Sequence, residues 1–288
     1  MKKVTFLIAA VSFTLFSNAQ QAKQEKNDNS LLWKIEGNGL TQPSYVYGTI
    51  HMLCAPDFEI KDKVSTAFNS TSNLVMELDM DDPEELQEMQ NIMKSETTLS
   101  SLLTDEEEKK ADAILKSALG MNLKQVDNMS PLGLMSLSIM SSYTCPPTEM
   151  KMYEMEFLTK AQAQHKKIGG LETIAYQMAT VGSAFTIQEI LKQMELKSEY
   201  SEILAAMTKS YKEENLPKLY ETVTDKRFMD EDARKAMLTT RNENWVTKMP
   251  AIMKQESTFF AVGAGHLYGN DGVIKLLKEK GFKVTPVK

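Results

Sequence analysis

Two short stretches decide how this chain folds: Tyr45-Val46-Tyr47-Gly48-Thr49-Ile50-His51 near one end and Phe259-Phe260-Ala261-Val262-Gly263-Ala264-Gly265-His266 near the other. Each is an apolar run rich in β-formers that breaks at a glycine and delivers a histidine three residues later. The pattern reads twice as strand, turn, imidazole. The glycines predict a sharp turn with positive φ. The simplest arrangement puts both strands in one sheet with their C-terminal ends on the same edge, where open α/β sheets place ligand sites.

Working outward, Leu31 to Glu36 reads as a strand that can form a hairpin with Ser44 to Tyr47 across the Gly37-Asn38-Gly39 turn. Ile60 to Asn69 predicts a helix, and Leu74 to Leu78 a buried strand by its continuous apolar character. From Pro83 to about Phe185 the pattern is helical, interrupted by Lys167 to Glu172 as a short strand or turn. Pro131 to Met140 is apolar nearly all round, which predicts a buried helix. Thr186 to Arg241 is helical again. Glu243 to Gln255 continues it, with a break expected near Pro250. Val273 to Lys280 predicts a helix closed by Gly281, and Phe282 to Pro286 a last strand. The expected class is α/β (α+β): a central mixed sheet made from the N- and C-terminal segments, with a large helical block between them.

The N-terminus carries Lys2 and Lys3, an apolar run from Val4 to Phe16, and small residues through Ala19. That describes a signal peptide over residues 1–19, followed by a polar leader over 20–30 and a single domain over 31–288. The expected location is periplasmic or extracellular. Contact with a membrane would come only through an uncleaved N-terminus, because no other run reaches the length of a spanning helix. With 33 basic and 39 acidic residues the net charge is −6, and no basic stripe exists to neutralise phosphates, which argues against nucleic acid. Cys54 and Cys145 are the two cysteines. In an exported chain an even count points to a disulfide; in a cytosolic one the same pair stays as thiols. The 20 methionines read as adaptable core filler, with a methionine-lined binding groove as the alternative. Oligomeric state is not legible.

Three histidines are present, and the repeated Gly-x-x-His context uses two of them, His51 and His266. Neutral imidazoles suit manganese, cobalt or zinc. His165, between Gln164 and Lys166, reads as a surface residue. Glu77 is a carboxylate inside an apolar strand, costly to bury unless it meets a cation; Asp79 is its alternative. Glu172 follows Gly169-Gly170-Leu171, and Gln177 sits one helical turn beyond it. Arg241-Asn242 precede Trp245; the arginine can steady an oxyanion or form a salt bridge. Gly48 and Gly263 line the turns.

Taken in order, Tyr45 to His51, Leu171-Glu172-Thr173-Ile174-Ala175-Tyr176-Gln177, Arg241-Asn242 with Trp245, and Val262 to Gly269 resemble the TraB/GumN family, which includes the TIKI metalloproteases. Met155-Glu156-Phe157-Leu158 also resembles the family pattern. The resemblance spans roughly Leu31 to Val287. It implies a fold related to the erythromycin esterase and ChaN-like group, and a peptidase dependent on manganese or cobalt. His51, His266 and Glu77 are then expected around the metal, Glu77 or Glu172 as general base, and Arg241 near the oxyanion. A peptide or protein is the expected substrate. The alternatives are a non-catalytic binder of metal, haem or peptide on the same fold, and a metal-independent esterase-like hydrolase. Neither an H-E-x-x-H zinc motif nor a Gly-x-Ser-x-Gly elbow occurs.

Overall fold

The computed structural model describes residues 29–288 except Ile92, so the expected signal peptide, and all but the last two residues of the leader, lie outside the described residues. Eight strands follow in chain order: β1 (Leu32–Glu36), β2 (Ser44–Thr49), β3 (Leu53–Cys54), β4 (Asn73–Leu78), β5 (Met150–Lys151), β6 (Lys167–Glu172), β7 (Thr258–Gly263) and β8 (Lys283–Pro286). Six build one mixed sheet in the order β6-β4-β7-β2-β1-β8. β1 and β2 form the expected hairpin, and β8 adds antiparallel to β1. β2, β7, β4 and β6 are mutually parallel. The sheet therefore takes its terminal strands as expected, and also takes one edge strand, β6, from the middle of the chain.

The two inner parallel strands β7 and β4 are apolar and buried along nearly their whole length, as strands covered on both faces are. Phe259, Phe260 and Ala261 of β7 and Leu74, Val75 and Met76 of β4 are all buried. They pack with Phe68, Tyr153, Phe157 and Trp245 in the larger core. A second cluster, including Leu115, Val126, Leu134, Ile190 and Met194, holds the helical block. Sequence signals set the helix ends there. Thr104 and Glu107 form a capping box at the start of Asp105–Leu119, and Gly120 closes it with φ of 70°.

Two expectations need correction. The helix Thr240–Gln255 runs straight through Pro250; burial of Trp245, Val246, Met249 and Met253 on both sides holds it across the missing hydrogen bond. The helix Pro131–Ser141 is not fully buried: only Gly133 and Leu134 are, and its other residues remain half-open. Cys54 and Cys145 are joined in a disulfide, and β3 pairs antiparallel with β5 beside it. No helix among the described residues is long and apolar enough to cross a membrane.

Candidate active site

Strand order assembles the site. Thr49 pairs with Gly263 across β2 and β7, so the two Gly-x-x-His turns leave the sheet side by side. β4 lies on the other side of β7 and β6 beyond it, so Glu77 and Glu172 end the next two strands. Residues from four separate segments thus meet at one sheet edge.

The glycines act differently from expectation. Neither Gly48 nor Gly263 has positive φ. What each supplies is space. A Cβ on Gly48 would lie 2.8 Å from Leu267 Cδ1 and 2.9 Å from the Ala264 Cα, so the two turns could not pack. A Cβ on Gly263 would meet Glu77 Oε1 at 3.2 Å, His266 Cδ2 at 3.5 Å and His51 Nε2 at 3.8 Å. Three polar side chains therefore converge on the bare face of Gly263.

Glu77 is buried. Its Oε1 accepts the Gly263 backbone N–H at 2.7 Å, and its Oε2 accepts from Arg241 Nη2 at 2.6 Å and Gln177 Nε2 at 3.2 Å. Burial opposes its charge, but the Arg241 guanidinium, the neighbouring imidazoles and the Gly263 N–H together outweigh that and hold the carboxyl far below the usual range. Glu172 is equally enclosed: Arg241 donates to it through Nε and Nη2, Gln177 donates at 2.7 Å and Trp245 Nε1 at 3.1 Å. A base needs a free lone pair and a pKa near the working pH. Glu77 keeps one lone pair on Oε1 but is held far below that range, and both oxygens of Glu172 are taken by Arg241, Gln177 and Trp245, so the expected general-base roles of Glu77 and Glu172 do not fit the geometry.

Arg241 is 5% exposed. It sits at the start of Thr240–Gln255, directly after a π-helical turn, Lys235–Thr239, of the kind frequent at functional sites. A guanidinium has five N–H groups. Here Nε and Nη2 serve the two glutamates, while Nη1 donates to the Met237 carbonyl at 3.1 Å and to His266 Nε2 at 3.2 Å. No donor is left for an oxyanion. The expected catalytic role of Arg241 is replaced by a positioning one: it binds both acids and one imidazole into a unit.

Asn242 and Trp245 complete the unit from the same helix face. Asn242 Nδ2 donates to the Asp271 carbonyl at 2.8 Å, which turns its Oδ1 toward His266 Nδ1 at 2.7 Å. His266 therefore carries its proton on Nδ1 and keeps a lone pair on Nε2. Trp245 stacks over the ring at 4.3 Å between centroids. Burial and the Arg241 charge lower the His266 pKa to about 3, so the ring is neutral.

His51 stands at the open end, with 65% of its side chain exposed. Its Nδ1 faces Glu154 Oε1 at 3.3 Å, and Thr49 Oγ1 donates to the same oxygen at 2.8 Å. Crowding by protein opposes charge on His51 even though solvent reaches the ring. The Glu154 carboxylate outweighs this and, with the field of Glu77, raises the imidazole to about 9. Glu154 Oε2 is buried and has no hydrogen-bond partner. Glu154 escaped the sequence reading, yet a signal was present: Leu158 and Ala161, at i+4 and i+7, are buried, so Glu154 falls on the apolar face of its helix. The β3–β5 pairing and the Cys54–Cys145 bridge tie this helix to the His51 turn. Asp79 stays outside the site and accepts the Asp81 N–H in its own loop. His165 is exposed.

In kind, the donors suit a divalent cation: two imidazoles, each with Nδ1 facing an oxygen acceptor so that Nε2 is the nitrogen left for a metal, and a carboxylate oxygen without a partner; on His266 that Nε2 accepts from Arg241 Nη1. In position they stand apart: among the described residues no three His, Cys, Asp or Glu side chains are grouped to hold a metal ion.

The TraB/PrgY/gumN family pattern matches residues 31–286, and the chain belongs to that family. It is similar to a metalloprotease TIKI homolog of Nematostella vectensis, 21% identical over 92% of this chain and 68% of that protein. It is also similar to the metalloproteases TIKI1 and TIKI2 of Xenopus tropicalis. These are 21% and 22% identical over 93% and 91% of this chain, and are covered over 63% and 60% of their own lengths. The chain thus spans under two thirds of the Xenopus relatives. No solved structure matches it.

Proposed function

We propose that the chain is an exported hydrolase that cleaves peptide bonds with the help of a divalent cation. The observation that carries this reading is the convergence of His51, Glu77 and His266 on the face of Gly263, beside a buried Glu154 oxygen with no partner. His51, Glu154, His266 and Glu77 would hold the cation, with manganese, cobalt or zinc suited to such nitrogen and oxygen donors. When bound, it supplies a water of lowered pKa and polarises the scissile carbonyl. The chain's own part is order. Arg241 fixes the two buried acids, Asn242 fixes the His266 tautomer, and Gln177 bridges Glu77 and Glu172. At the solvent-facing side, Glu154 would fix the His51 Nδ1 proton and so turn Nε2 toward the cation.

The test is cleavage of a peptide library by the full chain, with and without Mn²⁺ or Co²⁺, alongside His51→Ala, His266→Ala and Glu154→Gln. Loss of activity in all three is expected. Unchanged activity in both histidine variants would remove the site.

One observation favours a second reading. Arg241 already provides positive charge between Glu77, Glu172 and His266. A metal-independent hydrolase would then rest on the His51–Glu154 pair as base and orienting acid. Activity that survives exhaustive chelation, yet is lost in His51→Ala, selects this version.

A further inference from the structure

Beside the site lies a cavity of about 200 Å³, bounded by Met135, Met207, Met229, Met237, Phe185 and Phe228 among others. Five of these six are only half-buried, so their apolar surface stays open. Concave apolar surface of this kind is what ligands cover. No Asp, Glu, Lys, Arg or His lines it, so a charged group entering would lose its hydration without replacement. Of the polar side chains on its wall, Thr222 Oγ1 donates to the Lys218 carbonyl and Gln193 Nε2 to the Phe228 carbonyl, while Ser138 and Tyr200 add two uncharged hydroxyls.

Two wall residues belong to the site as well. Val223 lies 3.1 Å from where a Cβ of Gly265 would stand, next to His266. The Met237 carbonyl accepts from Arg241 Nη1. The size is selective: a cavity of roughly 150 Å³ accepts a benzene. One phenylalanine or leucine side chain fits, and methionine walls adapt to either.

We infer that this cavity is a subsite for one large, uncharged apolar side chain of a peptide bound at the candidate site. The inference rests on the peptide-substrate reading above, but not on turnover.

The full chain, carrying ¹³C-methyl methionine, is titrated with blocked pentapeptides Gly-Gly-X-Gly-Gly in which X is Phe, Leu, Ala or Asp. Methyl signals are assigned with single Met→Leu variants. Phe and Leu peptides shift the Met135, Met207, Met229 and Met237 signals at concentrations at least tenfold below the Ala peptide, and the Asp peptide leaves them in place. Ile203→Trp fills the cavity and abolishes the response. Should that variant fail to fold, Phe228→Ala, which widens the cavity, moves the preference from Phe to Trp. Equal shifts for all four peptides, or shifts confined to other methionines, overturn the subsite. Cleavage without selective shifts sinks the subsite alone. Selective shifts without cleavage keep the subsite and sink the hydrolase.

Discussion

Replacing Arg241 with methionine tests the central unit directly. The substitution keeps an unbranched chain of similar reach and removes every N–H. Glu77 and Glu172 would stay buried, their side chains 11% and 4% exposed, with their shared cation gone. Removing one partner of a buried ion pair costs about 3–5 kcal/mol, because the charge left behind has no compensation. For a chain of this size each kcal/mol lowers Tm by roughly 2–4 °C, so a fall of roughly 6–20 °C is expected. The pH dependence separates this cause from lost packing. In the native chain the folded Glu77 pKa lies below its unfolded value. Its contribution is therefore present above about pH 4.3 and is lost as pH falls through the folded pKa. In the variant burial loses its main opponent at Glu77, which takes up a proton more readily. The stability gap should be widest at pH 7 and narrow toward pH 4. Glu172→Gln added to the variant should recover part of the loss by removing one uncompensated charge. Thermal unfolding followed by circular dichroism at both pH values reads all of this. A Tm within about 2 °C of the native chain, or a gap independent of pH, refutes the buried-charge account.

Four further outcomes are expected. Gly48→Ala forces a Cβ against the Ala264 backbone and should cost about 1–3 kcal/mol. Gly263→Ala meets only side-chain atoms and should leave Tm nearly unchanged while peptide cleavage falls at least tenfold; melts and rates in the opposite order would contradict the packing argument. Cys54→Ser/Cys145→Ser opens a link between residues 91 apart and should cost about 2–4 kcal/mol, matched by reductant on the native chain and absent if the bridge does not form. Burial raises the phenols of Tyr47, Tyr153 and Tyr211 above their ordinary value. Their contribution is complete below the unfolded pKa of about 10 and is lost as pH rises further. Urea melts between pH 8 and 11 should show that decline, and Tyr211→Phe should flatten it.

Strand periodicity, the glycine breaks and the repeated histidine context made the sheet edge legible before any coordinates, because they are local signals. What each polar residue does there was less legible, because that depends on who else arrives. Arg241 looks like a free donor until its partners are counted; only the spatial order β6, β4, β7, β2 puts two acids and an imidazole around it. Glu154 and Glu156 are indistinguishable by type. Helical phase separates them: Glu156 falls on the wet side and pairs with Lys151, while Glu154 reaches His51. The same strand order gives the site a direction. Across the sheet edge run Glu172, Glu77, His266 and His51, with side chains 4%, 11%, 6% and 65% exposed. The first three are held by Arg241 and Trp245, so solvent reaches this unit chiefly at His51. Of the two imidazoles in this unit, the one that solvent reaches is thus the one backed by a carboxylate, Glu154, rather than by Arg241 and Asn242.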